Sequence, residues 1–226
     1  NIANFSKTTV LSPFIYSALT REILSALPNL KLIATRSTGF DHIDIDFCKE
    51  KGIKIANVPT YGGYTVAEHT FALILAISRK IIPSVERTRR GDFSLEGLSG
   101  FELFGKTIGV IGAGHIGKKV INIARSFGMK VLIFSEREDQ DLAKDENIFY
   151  VSLDNLLMNS DIVTLHVPHT KETERMINMG NIGKFKKESI LINTARGALV
   201  ETQAILEGLE KGILSAAGLD VLEGEI

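Results

Sequence analysis

Cysteine is almost absent from this chain, since Cys48 is the single example among 226 residues. One cysteine cannot form an internal disulfide, and such usage suits a reducing compartment. We therefore expect a cytoplasmic protein in which Cys48 packs in the core. The sequence also has no apolar run of the roughly 18 to 20 residues that a membrane-spanning helix needs. A role in the membrane is not expected.

Blocks of like charge are missing as well. Lysine and arginine together number 26, aspartate and glutamate number 27, and neither sign is clustered. Because the sequence has no cluster of basic residues, we do not expect nucleic acid as a partner. We expect a small soluble molecule instead. The sequence has no initiator methionine and stops just after an apparent strand, so we expect a chain cut at both ends.

Short apolar runs with β-branched residues alternate with longer segments of helical period. This pattern is typical of α/β layers around a mostly parallel sheet. We predict strands at 31–35, 53–57, 107–111, 130–134, 162–166, 190–193 and 216–221, and helices at 43–51, 66–79, 116–127, 153–158 and 202–211. A long apolar helix covering 66–82 is expected to be buried between layers at a domain interface rather than to cross a membrane.

A segment with neither period, residues 91–100, contains glycine and serine and suits a connection between domains. We therefore place a domain boundary near residue 97. Residues 1–97 are predicted to form a partial substrate domain with an interdomain helix. Residues 98–226 are predicted to form a dinucleotide-binding domain.

A glycine-rich motif, Gly112-Ala113-Gly114-His115-Ile116-Gly117, follows one predicted strand and opens a predicted helix. This context favours a dinucleotide site over an ordinary glycine turn. Gly112 permits a tight turn, Gly114 lets the backbone approach the pyrophosphate, and Gly117 lets the helix lie close to the strand. The N–H groups at the start of the helix, at His115 and Ile116, then face the phosphates.

The end of the next strand carries signals for both nicotinamide cofactors. An acidic residue about 20 positions after the motif binds the ribose hydroxyls of NAD, whereas an arginine suits the extra phosphate of NADP. Here the sequence reads Ser135, Glu136 and Arg137. We predict NAD through Glu136, and NADP stays possible through Arg137.

Arg196 follows another predicted strand and is a candidate for binding a substrate carboxylate. The planar guanidinium pairs with two oxygens at once, and open parallel sheets bind ligands at the carboxyl ends of their strands. From the residues alone, an arginine exposed in a turn is an equally good interpretation.

A set of motifs resembles the D-isomer-specific 2-hydroxyacid dehydrogenases over nearly the whole chain, and within that family it is most similar to the NAD-dependent D-lactate dehydrogenases. The motifs are TRSTGFDHID (35–44), NVPTY (57–61), AEHT (67–70), GKTIGVIG (105–112), LHVP (165–168), INTARG (192–197) and GLDV (218–221). The resemblance implies a Rossmann-type doubly wound parallel sheet plus a smaller flavodoxin-like α/β substrate domain. It also implies a homodimer formed through the nucleotide-binding domains.

The resemblance further implies the residues of the site. Arg196 would bind the substrate, and Glu225 would hydrogen-bond the catalytic histidine and raise its pKa. The backbone at Ser37, Thr38 and Gly39 would receive the substrate carboxylate, and Tyr61 would close the pocket. The remaining cofactor contacts would come from His166 and Pro168 near the adenosine, from Thr194, and from Asp220 at the nicotinamide carboxamide.

The proton-donating histidine of the family follows the glutamate, and this chain ends one residue after Glu225. We therefore expect this histidine outside the chain, and we expect the 226 residues alone to bind cofactor but to turn over poorly. The predicted reaction is hydride transfer between NAD(H) and a D-2-hydroxy acid, with pyruvate and D-lactate as the first pair. The alternatives are a glyoxylate or hydroxypyruvate reductase using NAD(P)H and a non-enzymatic, NAD(H)-sensing protein similar to corepressors.

Overall fold

The computed structural model describes residues 2–225, so Asn1 and Ile226 lie outside the described residues. Within that range the chain forms two compact units, which divide between Gly62 and Gly63. Both units are α/β, and every strand pair in the described residues is parallel. The predicted fold class is therefore confirmed.

The smaller unit contains a short parallel sheet in the order β1-β2-β3. Its elements are β1 (Val10–Leu11), α1 (Arg21–Ser25), β2 (Leu32–Ala34), α2 (Ile45–Lys51) and β3 (Lys54–Ala56), after a 3-10 turn at Ile2–Phe5. The carboxylate of Asp44 accepts the backbone N–H of Phe47 at 2.8 Å and so caps α2. Cys48 is buried on α2, as the sequence predicts, and burial raises the pKa of its thiol.

The larger unit, as far as residue 225, contains a six-stranded sheet in the order β6-β5-β4-β7-β8-β9. The strands are β4 (Thr107–Ile111), β5 (Lys130–Phe134), β6 (Ile148–Tyr150), β7 (Ile162–Leu165), β8 (Ser189–Asn193) and β9 (Leu214–Leu219). The strand order reverses between β4 and β7, so the sheet is doubly wound. Ligands of such sheets bind outside the carboxyl ends of the strands at this reversal.

Helices cover both faces of this sheet. They are α3 (Gly63–Ser78), α4 (Ile81–Arg89), α5 (His115–Ser126), α6 (Leu153–Asn159) and α7 (Thr202–Glu210), with 3-10 turns at Leu142–Lys144, Ile182–Lys184 and Gly197–Leu199. Alternate residues of β4 point to opposite layers. Ile108 packs with α3 and α5, whereas Ile111 packs with α6 and α7. Burial of one such side chain stabilises the fold by about 1.5–3 kcal/mol.

The helix α3 belongs to the larger unit because its apolar residues join the core of that unit's sheet. Ala67, Phe71 and Ile74 are buried in the same cluster as residues of β4 and β5. The division at Gly62 therefore differs from the boundary placed near residue 97. The assignment of residues 1–97 to a substrate domain stays a prediction.

All of the predicted strands and helices are present, with ends shifted by at most three residues. Four elements are present that the sequence did not reveal, namely β1, β6, α1 and α4. Two of them are very short strands, and α1 has a single buried residue, Leu24. The helix α4 has no buried residue, so it lacks the apolar face that would reveal it.

Candidate functional site

The turn between β4 and α5 depends on two glycines for its own packing. Gly112 has a φ of 96°, in the region that favours glycine, and a β-carbon there would lie 2.7 Å from the carbonyl oxygen of His166. A β-carbon on Gly117 would overlap the carbonyl oxygen of Gly112. The chain therefore needs glycine at both positions, whatever binds there.

Gly114 differs from these two glycines because its surroundings are open. No atom of the described residues outside its immediate chain neighbours lies within 4 Å of the place where its β-carbon would be. Gly114 is the N-cap of α5 and has extended backbone, so no side chain caps the first N–H groups of the helix. Those groups and the helix dipole favour an anion. The open space beside Gly114 therefore makes this turn a candidate for binding the pyrophosphate of a dinucleotide.

The first turns of α3 and α5 are in contact. A β-carbon on Gly63 would lie 2.6 Å from Nε2 of His115, and Nζ of Lys119 lies 3.6 Å from the centre of the Tyr64 ring. The ring of His115 therefore packs beside α3. The groups that His115 and Ile116 can offer at the turn are their backbone N–H groups.

The predicted ribose-binding residues lie directly after β5. Ser135 is half-buried, whereas Glu136 and Arg137 are exposed. Since β5 is the neighbour of β4 in the sheet, these residues lie at the same sheet edge as the glycine turn. This is the edge at which an adenine ribose would lie in a Rossmann fold.

Asp139 organises the segment that follows, although no sequence pattern indicated this role. Its carboxylate pairs with Lys118 of α5 and accepts the backbone N–H groups of Asp141 and Leu142 at 2.9 and 3.1 Å. The Lys118 hydrogen bond and these two N–H groups lower the pKa of Asp139 to about 2. Asp139 is therefore ionised and fully engaged in holding the loop, which leaves Glu136 as the free acidic candidate.

His166, at the end of β7, is a neutral histidine. Its Nε2 lies 3.0 Å from the hydroxyl of Thr164, and its Nδ1 is buried with no hydrogen-bond partner among residues 2–225. Burial lowers the pKa of His166 to about 4. Two residues on, the carbonyl oxygen of Pro168 accepts the hydroxyl of Thr173 at 2.7 Å. Both predicted adenosine-side residues therefore lie in an ordered segment beside Gly112.

The turn that carries Arg196 is held by the side chain of Asn193, the last residue of β8. Its amide oxygen accepts the N–H of Ala195 at 3.1 Å, and its amide nitrogen donates to the carbonyl of Arg196 at 2.8 Å. Arg196 is half-buried, and its guanidinium donates to the carbonyl of Ala195 at 2.7 Å. Asn193 therefore fixes the backbone from which Arg196 projects.

The turn at Arg196 also lies against the segment after β9. A β-carbon on Gly197 would overlap the carbonyl group of Leu222, so only glycine allows this approach. Glu225, the predicted partner of a catalytic histidine, is exposed, and its carboxylate accepts the N–H of Leu222 at 2.9 Å. Arg196 and Glu225 therefore lie on two segments that meet at Gly197 and Leu222.

The neighbouring carboxylate, Glu223, has a structural role. It binds Arg175 at 2.8 Å and accepts the N–H of Thr202, the first residue of α7, at 2.9 Å. These N–H and guanidinium donors lower the pKa of Glu223. Because Glu223 is committed to these donors, Glu225 is the better placed of the two to accept a further ligand.

Two residues of α3 contact the cofactor-binding candidates of β8 and β9. The hydroxyls of Thr70 and Thr194 lie 3.0 Å apart and are both buried. Nε2 of His69 lies 3.3 Å from Oδ1 of Asp220. Neither Thr70 nor His69 was predicted as a site residue. The AEHT motif contained both residues, but only the fold shows what they touch.

The substrate-binding candidates of the smaller unit form one hydrogen-bonded loop cluster. The hydroxyl of Ser37 donates to the carbonyl of Gly39 at 2.6 Å, and that of Thr38 lies 2.9 and 3.1 Å from the carbonyls of Val58 and Tyr61. These residues follow β2 and β3, which are adjacent strands. Within this unit the structure brings all four predicted residues together.

The described residues also provide two negative findings. No group of three or more histidine, cysteine, aspartate or glutamate side chains within 2–225 could hold a metal ion. No helix in the same range is both long and apolar enough to span a bilayer.

The fold and the glycine turn together define a Rossmann-type dinucleotide-binding protein. Residues 71–226 match the model of the family described as "D-isomer specific 2-hydroxyacid dehydrogenase, NAD binding domain". The chain belongs to the D-isomer-specific 2-hydroxyacid dehydrogenase family. It carries the NAD-binding domain of that family, so NAD is the cofactor class.

Individual relatives support the same assignment. The chain is 39% identical to the D-lactate dehydrogenase of Escherichia coli over 87% of this chain and 59% of the relative. It is 37% identical to the glyoxylate reductase of Thermococcus kodakarensis over 90% of this chain and 63% of the relative. The crystal structure of D-lactate dehydrogenase from Aquifex aeolicus, complexed with NAD and lactic acid, has 45% identity and a TM-score of 0.96. That match covers 100% of this chain and 68% of the other.

The first three curated relatives are longer than this chain, which spans 66%, 62% and 59% of their lengths. Their names include both lactate dehydrogenase and unspecified 2-hydroxyacid dehydrogenase homologs. The comparisons therefore show the family without fixing a substrate.

Proposed function

We propose that this chain is the cofactor-binding part, with some of the substrate-binding part, of an NAD-dependent D-2-hydroxyacid dehydrogenase. The reaction is reversible hydride transfer between NAD(H) and a small 2-oxo or 2-hydroxy acid, with pyruvate and D-lactate as the first pair. The observation that carries this proposal is the placement of the open turn at Gly114 and of Arg196 at the same edge of one sheet. When bound, the cofactor supplies or accepts the hydride.

The turn after β4 holds the pyrophosphate through the backbone at Gly114, His115 and Ile116, since these N–H groups begin α5 beside open space. Gly112 and Gly117 allow the turn itself. Ser135 and Glu136 hold the adenine ribose, and His166 and Pro168 border the adenosine. Thr194 and Asp220 hold the nicotinamide end. They directly follow β8 and β9, at the carboxyl ends of those strands.

Arg196 binds the carboxylate and the C2 oxygen of the substrate. A guanidinium makes two parallel hydrogen bonds to such a pair of oxygens, and it keeps its charge at any physiological pH. Glu225 supports the catalytic histidine that the reaction requires, because a carboxylate stabilises the protonated imidazole. In the smaller unit, backbone N–H groups of Ser37, Thr38 and Gly39 bind the substrate carboxylate, and Tyr61 covers the substrate.

The direct test is steady-state kinetics of the whole gene product with pyruvate, glyoxylate and hydroxypyruvate, each with NADH and with NADPH. The highest kcat/KM is expected for pyruvate with NADH. No turnover of any 2-oxo acid, together with tight NADH binding, would contradict the enzymatic proposal and favour an NAD(H) sensor.

A second candidate is a glyoxylate or hydroxypyruvate reductase that uses NADPH, and one observation favours it. The residue at the tip of β5 is Ser135 rather than an acid, and Arg137 is exposed two positions later. In that case Arg137→Gln would weaken NADPH binding and leave NADH binding unchanged. Glu136→Gln is the matched variant and would weaken NADH binding if NAD is the natural cofactor.

We propose a homodimer formed through the larger unit, because large apolar side chains are exposed on α4 and after it. Ile82 is 60%, Phe93 79%, Leu95 82% and Phe104 78% exposed. Side chains of this kind, when they form a patch, mark an interaction surface. Analytical ultracentrifugation of a Phe93→Ser, Leu95→Ser double variant should show a monomer. Phe149→Ser, an exposed change on β6, should leave the dimer intact, and a wild-type monomer at micromolar concentration would contradict the proposal.

We also propose a cytoplasmic location, because the one cysteine is buried and unpaired. Cell fractionation of a tagged gene product would test this proposal.

A further inference from the structure

The helix α3 is packed directly onto the carboxyl end of β9. A β-carbon on Gly218 would lie 3.3 Å from Cβ of Leu73 and 3.3 Å from Cδ1 of Ile77. One turn earlier on the helix, Thr70 reaches Thr194 after β8. Residues on this side of α3 are therefore positioned by a packed helix rather than by a loop.

Asp220 is held at its backbone but has a half-exposed side chain. Its N–H donates to the carbonyl of Asn193 at 3.0 Å, and 49% of its side chain is exposed. His69 places Nε2 3.3 Å from Oδ1 of Asp220. The carboxylate can only accept, so a hydrogen bond across this contact requires the proton of the imidazole to be on Nε2. One oxygen of Asp220 is thereby engaged, which leaves Oδ2 for another donor.

We propose that His69 is a positioning residue for the nicotinamide end of the cofactor. By donating from Nε2 to Oδ1, it holds the Asp220 carboxylate in one rotamer, with Oδ2 free to accept the carboxamide NH₂ group. This inference rests on the proposed role of Asp220. Fixing a side chain before binding removes the entropy that binding would otherwise cost.

The contact between His69 and Asp220 is expected to contribute little to the stability of the fold. Both side chains are about half-exposed, and ion pairs between exposed groups contribute about 0–1 kcal/mol. A positioning role predicts an effect on affinity for ligands that contain nicotinamide, and little effect on the free energy of unfolding.

The test compares NADH with ADP-ribose, which lacks the nicotinamide, in binding titrations of the whole gene product. His69→Leu should weaken NADH binding about tenfold, which corresponds to about 1.4 kcal/mol. ADP-ribose binding and the thermal midpoint should stay unchanged. His69→Gln, whose amide nitrogen can reach the position of Nε2, should restore NADH affinity to within about threefold of the wild type. In an Asp220→Ala background, His69→Leu should have no further effect.

Unchanged NADH affinity in His69→Leu would overturn this inference alone. An equal loss of NADH and ADP-ribose binding, or a full additional loss in the Asp220→Ala background, would do the same. If the wild type binds NADH no more tightly than ADP-ribose and Asp220→Ala changes neither affinity, the proposed role of Asp220 fails, and the inference fails with it.

Discussion

The two ends of the candidate site in the larger unit are built in different ways. The turn between β4 and α5 is a backbone site: Gly112 and Gly117 are required by close packing, and Gly114 leaves space. The ends of β8 and β9 form a side-chain site, where Thr194 and Asp220 contact Thr70 and His69 of α3, more than 120 residues away in sequence. A backbone site can be predicted from local sequence. A side-chain site of this kind depends on long-range packing.

The largest effect is expected at the side-chain end. Arg196→Ala removes the proposed partner of the substrate carboxylate and should lower kcat/KM about a thousandfold, or about 4 kcal/mol, as for the loss of one partner of a buried charge pair. Arg196→Lys keeps the charge without the planar fork and should recover part of the loss. NADH affinity should change little in either variant. A kcat/KM within tenfold of the wild type for Arg196→Ala would show that another cation binds the substrate.

The backbone end can be tested with two alanine variants of the same turn. Gly117→Ala forces a β-carbon against the carbonyl of Gly112 and should lower the free energy of unfolding by about 3 kcal/mol, the upper part of the range for overpacking. A β-carbon at Gly114 would have no atom of the described residues within 4 Å other than its chain neighbours, so the fold of Gly114→Ala should be unaffected.

The two alanine variants should also differ in their affinity for NADH. Since Gly114 lies where the pyrophosphate is proposed to approach, Gly114→Ala should lose NADH affinity at unchanged stability. Urea denaturation and NADH titration of both variants provide the measurement. Full NADH affinity in Gly114→Ala would show that the pyrophosphate does not bind close to this turn.

His166, at the binding edge of the sheet, should make the free energy of unfolding depend on pH. Its folded pKa is about 4, below the value near 6.5 of an unfolded histidine, so the unfolded chain binds more protons between these values. This contribution to stability is fully present above pH 6.5 and is lost as the pH falls to about 4. Between pH 7 and 5 the loss should be about 2 kcal/mol.

The control for this pH effect is a second histidine at the same edge. His166→Gln should remove the loss of stability between pH 7 and 5, whereas His115→Gln, at an exposed position, should retain it. Urea denaturation at both pH values measures the difference. An identical pH dependence in wild type and His166→Gln would show that His166 does not titrate as its burial requires.

The sequence predicted well the strands and the helix that carry the backbone end of the candidate site, and it missed several of the contacts at the side-chain end. The strands β4 and β5 have the predicted bounds, and α5 begins one residue earlier than expected, because short-range geometry determines a strand-turn-helix motif. Arg196 was a candidate from the residues alone, with an exposed turn arginine as the equal alternative, whereas Asp220 was identified only through the family resemblance. His69, Thr70 and Asn193 were missed as site residues, since their significance lies in contacts that no local pattern encodes.

The same limit explains the elements that were missed. The strand β6 has three residues at the edge of its sheet, where little apolar burial marks a strand. The loop residue Asp139 acts through Lys118, which lies on the preceding helix. Local periodicity therefore reveals the central strands and buried helices of this fold, while its edges and loops depend on tertiary contacts.

The smallest expected effect concerns the buried threonine pair that joins α3 to β8. The hydroxyl of Thr70 donates to the carbonyl of Val66 at 2.8 Å, so Thr194 must donate to Thr70 across the 3.0 Å contact. Thr70→Val leaves the Thr194 hydroxyl buried without this acceptor and should lower the free energy of unfolding by about 1–2 kcal/mol. Thr70→Ser keeps the acceptor and should lose less. Because removal of both polar partners is nearly neutral, Thr70→Val with Thr194→Val should be more stable than Thr70→Val alone. Equal stability of the single and double variants in urea denaturation would show that this hydrogen bond does not tie the helix to the strand.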